Sequence, residues 1–142
     1  MKNLLLIGFI LTTSMSAFSH GEDKLGPNKG YVKMPGGFHT EVVPNNDGTF
    51  KVYLLDIQFK NPTVKNSKVS ATIDNGQKTE VTCSPKRNYF QCSSKKGDLT
   101  KGTLSVTAER NSVKANEAVY DLPLALAKTN TETKTDEHSG HH

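Results

Sequence analysis

The 142-residue sequence has no tryptophan, only two cysteines, and aromatic residues at 7% of its positions. Two cysteines exclude a disulfide-dense mini-scaffold, and 11 glycines with 6 prolines exclude a collagen-like chain. Apolar residues make up 34% of the chain, and none of their runs reaches the ~20 residues of a spanning helix, which excludes a polytopic membrane protein. No Gly-x-Ser-x-Gly elbow, P-loop or dinucleotide fingerprint occurs, so the enzyme classes that those motifs mark find no support and a non-enzyme is expected. Charge of one sign is not concentrated either. The lysines from Lys60 to Lys101 are spread as on a solvated β-surface rather than gathered into a nucleic-acid groove.

What is present begins with an export signal. Lys2 supplies a positive start, Leu4 to Leu11 is almost unbroken apolar sequence, and Ala17-Phe18-Ser19 offers small residues around a cleavage point. Residues 1–19 are therefore expected to be a signal peptide, and residues 20–142 an exported, soluble periplasmic protein with no membrane insertion after cleavage. Export governs the cysteines. Cys83 and Cys92 are expected to form a disulfide, with a pair of thiolate metal ligands as the alternative. Closing so short a loop stabilises by roughly 2–3 kcal/mol.

Residues 20–30 are polar and rich in Gly and Pro, and read as an extended N-terminal arm. Short strand-like segments follow at 31–34, 38–43, 50–59, 68–73, 79–83, 89–93, 102–108 and 116–122. Val69, Ala71 and Ile73 alternate cleanly, as do Leu104, Val106 and Ala108, which is the half-buried pattern. Segment 50–59 carries apolar residues on both parities, which predicts a strand buried on both faces or a face-switching bulge. Asp74-Asn75-Gly76 marks a hairpin. About eight short strands at this spacing predict an all-β fold over 31–127, an antiparallel β-sandwich of immunoglobulin-like architecture. Residues 128–142 hold no apolar side chain to bury beyond Lys128 and are expected to be a disordered, His-containing tail.

The five histidines are unevenly placed: His20 and His39 lie early, and His138, His141 and His142 lie in the tail. After cleavage, His20 would offer its α-amine and its own imidazole as a chelating pair, with His39 as a third nitrogen. That brace suits copper, and the plain alternative is a frayed end that binds nothing tightly. Strand alternation places His39 and Glu41 on one face, and Met34 lies across the Gly36-Gly37 turn. Imidazole with a thioether suits Cu(I), whereas imidazole with a carboxylate suits a harder divalent ion; a surface His-Glu pair and a core Met are the plain alternatives. The tail histidines could gather copper, zinc or nickel loosely, with an expression tag as the alternative. Imidazole must be deprotonated to ligate, and a histidine in water titrates near ~6.5, so metal affinity is expected to fall below about pH 6.

Gly26-Pro27-Asn28-Lys29-Gly30-Tyr31-Val32, then Phe38-His39-Thr40-Glu41-Val42-Val43, then the stretch from Asp47 to Asp56, together resemble a known pattern. It is that of small periplasmic β-domains of bacterial heavy-metal efflux and copper-resistance systems, found alone or fused to adaptor subunits. The resemblance covers roughly residues 20–75, and the chain departs from it at Asn28 and Lys29, where members often carry His. It implies periplasmic metal handling, with copper as the ion and an efflux adaptor or metallochaperone as partner. A non-metal structural or interaction β-sandwich docking on a cell-envelope complex is the alternative. A copper oxidase built on a histidine brace ranks last, since the few aromatics offer little polysaccharide-binding surface.

Overall fold

The computed structural model describes residues 25–125. The expected signal peptide, residues 20–24 of the arm and the tail lie outside the described residues. Nine strands follow one another: β1 Tyr31–Lys33, β2 His39–Pro44, β3 Thr49–Leu55, β4 Lys68–Asp74, β5 Lys78–Pro85, β6 Phe90–Ser93, β7 Gly102–Arg110, β8 Val113–Lys114 and β9 Ala118–Leu122. Among the described residues the helical content is one 3-10 turn at Asp98–Thr100. The all-β, antiparallel expectation is met, since each strand pairing is antiparallel.

The strands form one continuous sheet in the order β1-β2-β3-β6-β5-β4-β7-β8, with β9 also paired to β7. Strand β5 is where the sheet turns over. Its first half pairs with β4 (Val81 opposite Ala71), and its second half pairs with β6 (Cys83 opposite Cys92). The sheet thereby curls into a half-barrel whose concave side is the core. Alternation decides what lines it. Ile73, Ala71 and Val69 of β4 face Leu104, Val106 and Ala108 of β7, while Val42, Val52 and Phe90 meet across β2, β3 and β6. These residues belong to one buried apolar cluster with Phe38, Phe50, Leu54 and Tyr120. Fully burying each large member stabilises by about 2–3 kcal/mol. Cys83 and Cys92 are disulfide-bonded, as expected, as a directly opposed cross-strand pair.

Two local readings are corrected, and one short strand is added. Strand β3 stops at Leu55 rather than running to Phe59, because Asp56 begins a tight turn. Its Oδ1 accepts the N–H groups of Gln58 and Lys60, its Oδ2 accepts the Asn61 amide, and Ile57 is left 63% exposed. The short strand β8 escapes periodicity because both its residues are exposed. The arm over 26–30 is not extended but folds into a turn, with Lys29 N–H donating to Gly26 O and Gly26 N–H to Gly30 O; Leu25 bridges to Tyr31.

Candidate functional site

The site lies on the convex side of the sheet, on the parity of β2 that the core does not use. Register places Val32 of β1 opposite Glu41, and Glu41 opposite Tyr53; His39 lies opposite Leu55. A convex sheet face is ordinarily wet, yet Glu41 is 0% exposed and His39 3%. Two segments bury them, one for each residue.

The turn at 26–30 covers Glu41. Glu41 Oε1 accepts the backbone N–H of Asn28 at 2.8 Å and of Gly30 at 2.9 Å, and Oε2 accepts the Asn28 side-chain amide at 2.9 Å. Burying a carboxylate is costly unless such donors replace water, and here three N–H groups do so. Approach this close requires glycine at two positions. A Cβ on Gly26 would sit 2.6 Å from the Glu41 carboxyl carbon, and one on Gly30 would sit 2.6 Å from the Val42 carbonyl oxygen. The negative charge also reaches its neighbours. Tyr53 is raised from the ordinary phenol range by partial burial first, then by Tyr89 and Glu41; Tyr120 is raised by burial first and Glu41 second.

The turn at 56–61 covers His39. The Phe59 ring stacks on the imidazole at 3.9 Å between centroids and 21° between planes. His39 Nδ1 lies 2.9 Å from the Asp56 carbonyl oxygen, and a carbonyl only accepts, so Nδ1 carries the proton. In the neutral ring this tautomer places the lone pair on Nε2. Phe59 reaches its position at φ 61, in the left-handed region that costs a bulky residue roughly 1–2 kcal/mol. Asp56 holds the turn against that strain. Its carboxylate lies below the ordinary range, because the Lys60 N–H outweighs the opposing effect of burial and the Asn61 amide, Gln58 N–H and Arg110 add to it. Arg110 of β7 ties the turn to the sheet, donating to Leu54 O at 3.2 Å and Asn61 O at 2.8 Å.

Met34 follows β1 directly and is 41% exposed. The β1–β2 pairing ends at Lys33 opposite Thr40, one residue short of Met34. His20, His138, His141 and His142 lie outside the described residues. Among the described residues no group of three or more His, Cys, Asp or Glu side chains converges as a metal site. The carboxylate of Glu41, expected to be available to a metal, has both oxygens engaged by the arm. On the opposite face of β2, the Tyr120 hydroxyl donates to Thr40 O at 2.8 Å, while Thr40 Oγ1 is buried with no hydrogen-bond partner.

Sequence reading missed Asn28, Gly30, Asp56 and Phe59 as parts of this site. Two glycines flanking Pro27-Asn28-Lys29 and the Asp56-to-Asn61 spacing were the available signals; neither says which side chain lies beneath. Comparison with family profiles, curated proteins and solved structures finds no match to the chain.

Proposed function

We propose that the chain is a periplasmic metal-binding protein, with copper the preferred ion, that buffers ions or delivers them to an efflux or resistance system. The observation that carries this reading is the His39 imidazole. Its Nδ1–H is anchored on a main-chain carbonyl, a support usual for a ligating histidine, and the Phe59 ring stacks on its plane. Exposed Met34, just past the end of the β1–β2 pairing, and His20 upstream would supply further donors. His20 lies five residues before Leu25, a stretch that spans at most about 18 Å. Imidazole with thioether suits Cu(I), and imidazole with amine nitrogen suits Cu(II); zinc or another divalent ion would draw on the same imidazoles. His138, His141 and His142 act as a loose collecting arm. The partner would be an efflux adaptor or metallochaperone, and no catalysis is involved.

The same proposal takes the curled sheet as an immunoglobulin-like β-sandwich bent along β5. Support comes from the single core shared by the β2-β3-β6 and β4-β7-β9 halves, and from the Tyr120 hydroxyl reaching β2. A second reading, a structural or interaction domain docking on a cell-envelope complex without metal, is favoured by the lack of a converging donor group among the described residues.

Titration with Cu(I) and with Cu(II) separates the two readings, using the full exported chain and a version with His138, His141 and His142 replaced by alanine. Binding of one equivalent that survives those replacements and is lost with His39→Ala is the expected result. Binding that disappears with the tail histidines alone overturns the metal reading of the folded domain.

A further inference from the structure

Lysines that stand apart along the sequence are gathered by the fold at one end of the half-barrel. Strands β1, β3 and β7 end there, and β2, β4 and β9 begin there. Three segments meet at that end, 34–38, 56–67 and 111–117, and backbone groups tie them together. Arg110 donates to Leu54 O and Asn61 O, Ser112 N–H to Asn66 O, and Asn116 N–H to Pro35 O. Of the six non-glycine residues with positive φ among the described residues, five lie on these segments: Phe59, Asn61, Asn66, Asn111 and Ser112. Strained backbone of this kind gathers at working surfaces.

Two properties set this end apart from the other. It exposes three of the five large apolar side chains that the described residues leave in water: Met34, Ile57 and Val113, one on each segment, at 41%, 63% and 56%. The segments and the strand ends that hold them also carry Lys33, Lys60, Lys65, Lys68, Arg110 and Lys114, against Asp56, Glu109 and Glu117. Asp56 spends both carboxylate oxygens inside its own turn. At the opposite end the same count is balanced, with Lys78, Lys95, Lys96 and Lys101 against Asp47, Asp74, Asp98 and Asp121, and none of those five apolar side chains lies on its loops.

We infer that this end of the half-barrel docks on an anionic lipid surface, with Met34, Ile57 and Val113 reaching the headgroup level and the surrounding lysines facing lipid phosphates. Apolar tips rimmed by cations combine the two attractions that hold a protein on such a surface without spanning it. The residue types favour lipid over a protein partner. Protein interfaces are poor in lysine and rich in aromatic anchors, whereas this end is rich in lysine. Its two aromatic side chains are already committed, Phe38 to the core and Phe59 to the His39 ring. Docking of this kind is independent of whether His39 binds metal.

Co-sedimentation of the full exported chain tests the surface, with vesicles of phosphatidylcholine and phosphatidylglycerol in equal parts set against vesicles of phosphatidylcholine alone. Binding to the mixed vesicles that weakens with added salt is expected. Ile57→Ser combined with Val113→Ser should reduce partitioning by about tenfold or more. Lys60→Gln combined with Lys114→Gln should also lose about tenfold. Lys95→Gln combined with Lys96→Gln removes the same charge from the opposite end and should change partitioning by less than about twofold. All six side chains are exposed, so these variants leave the core intact. The chain has no tryptophan, so Val113→Trp and Val119→Trp each introduce a single emitter. Mixed vesicles should shift the emission of Val113→Trp to the blue and leave that of Val119→Trp, on the outer face of β9, unchanged. No sedimentation with the mixed vesicles, equal losses from the two lysine pairs, or equal shifts at positions 113 and 119 overturns lipid docking. Capture of soluble polyglutamate but not of the mixed vesicles assigns this end to an acidic protein and overturns it as well.

Discussion

Strand β2 buries both of its faces, and it does so by two different means. Toward the core, Phe38 and Val42 meet Val52, Leu54 and their neighbours, and burial follows from the two-residue period and the loss of apolar surface to water. Toward the convex side, His39 and Glu41 are buried as well, but two turns cover them: the 26–30 turn binds Glu41 through its backbone and the Asn28 amide, and the 56–61 turn covers His39 with the Asp56 carbonyl and the Phe59 ring. The inner face tolerates imprecision, because dispersion and apolar burial have no direction. The outer face tolerates less, because the polar groups of His39 and Glu41 are held there by hydrogen bonds and a ring stack of fixed geometry. A face built at that conformational cost, with Phe59 in the left-handed region, is where function is to be sought.

The contrast can be broken or sharpened by substitution, beginning with the largest effect. Phe50 is fully buried in the concave core, and Phe50→Ala is expected to destabilise by about 3–5 kcal/mol in urea or thermal unfolding. A loss under about 1 kcal/mol would mean that the inner core is not the main source of stability. Phe59→Ala, on the outer face, should cost only about 1–2 kcal/mol, since it removes one ring stack and alanine, which keeps its Cβ, leaves the left-handed strain in place. Its clearer signature is local: diethylpyrocarbonate should modify His39 faster, and an unchanged rate would show that Phe59 is not its cover.

Thr40→Val tests whether the inner face of β2 is governed by apolar burial alone. It removes a buried hydroxyl that has no partner, and a gain of about 1 kcal/mol is expected from denaturant midpoints. A loss would reveal a bound water or another partner for that hydroxyl. The smallest effect is the alkaline slope. The Tyr120 phenol is raised in the folded state by burial, so its contribution to stability is fully present below about pH 10. It is lost as pH rises beyond that value, where the unfolded phenol ionises and the folded one resists. Tyr120→Phe should flatten this decline while forfeiting the hydrogen bond to Thr40 O, and both effects are visible in stability measured from pH 8 to 11.

The concave half of this comparison was largely legible in the sequence. Val69-x-Ala71-x-Ile73 and Leu104-x-Val106-x-Ala108 announce strands whose buried side is unambiguous, and they pair residue for residue in β4 and β7. The expectation of a Cys83–Cys92 bond, drawn from the pair being the chain's two cysteines, is met. Alternation also placed His39 and Glu41 together on the face away from Phe38 and Val42. It could not show that this face is covered. The covering turns act through contacts 11 to 17 residues apart in sequence, made by backbone N–H and C=O groups that every residue carries. The end of β3 was missed for a related reason: Ile57 and Phe59 continue an apolar pattern, but the local hydrogen bonds of Asp56 override it.

The central claim is that His39 is a ligating imidazole presented by its Nδ1–H anchor. Nitrogen-15 NMR of the histidine rings during Cu(I) addition tests it most directly, because Cu(I) is diamagnetic and each ring nitrogen reports separately. His39 is expected to retain a protonated Nδ1 throughout, and its Nε2 resonance to shift in proportion to copper up to one equivalent. Movement of the tail histidine signals alone, with the His39 ring unchanged at saturation, would contradict it.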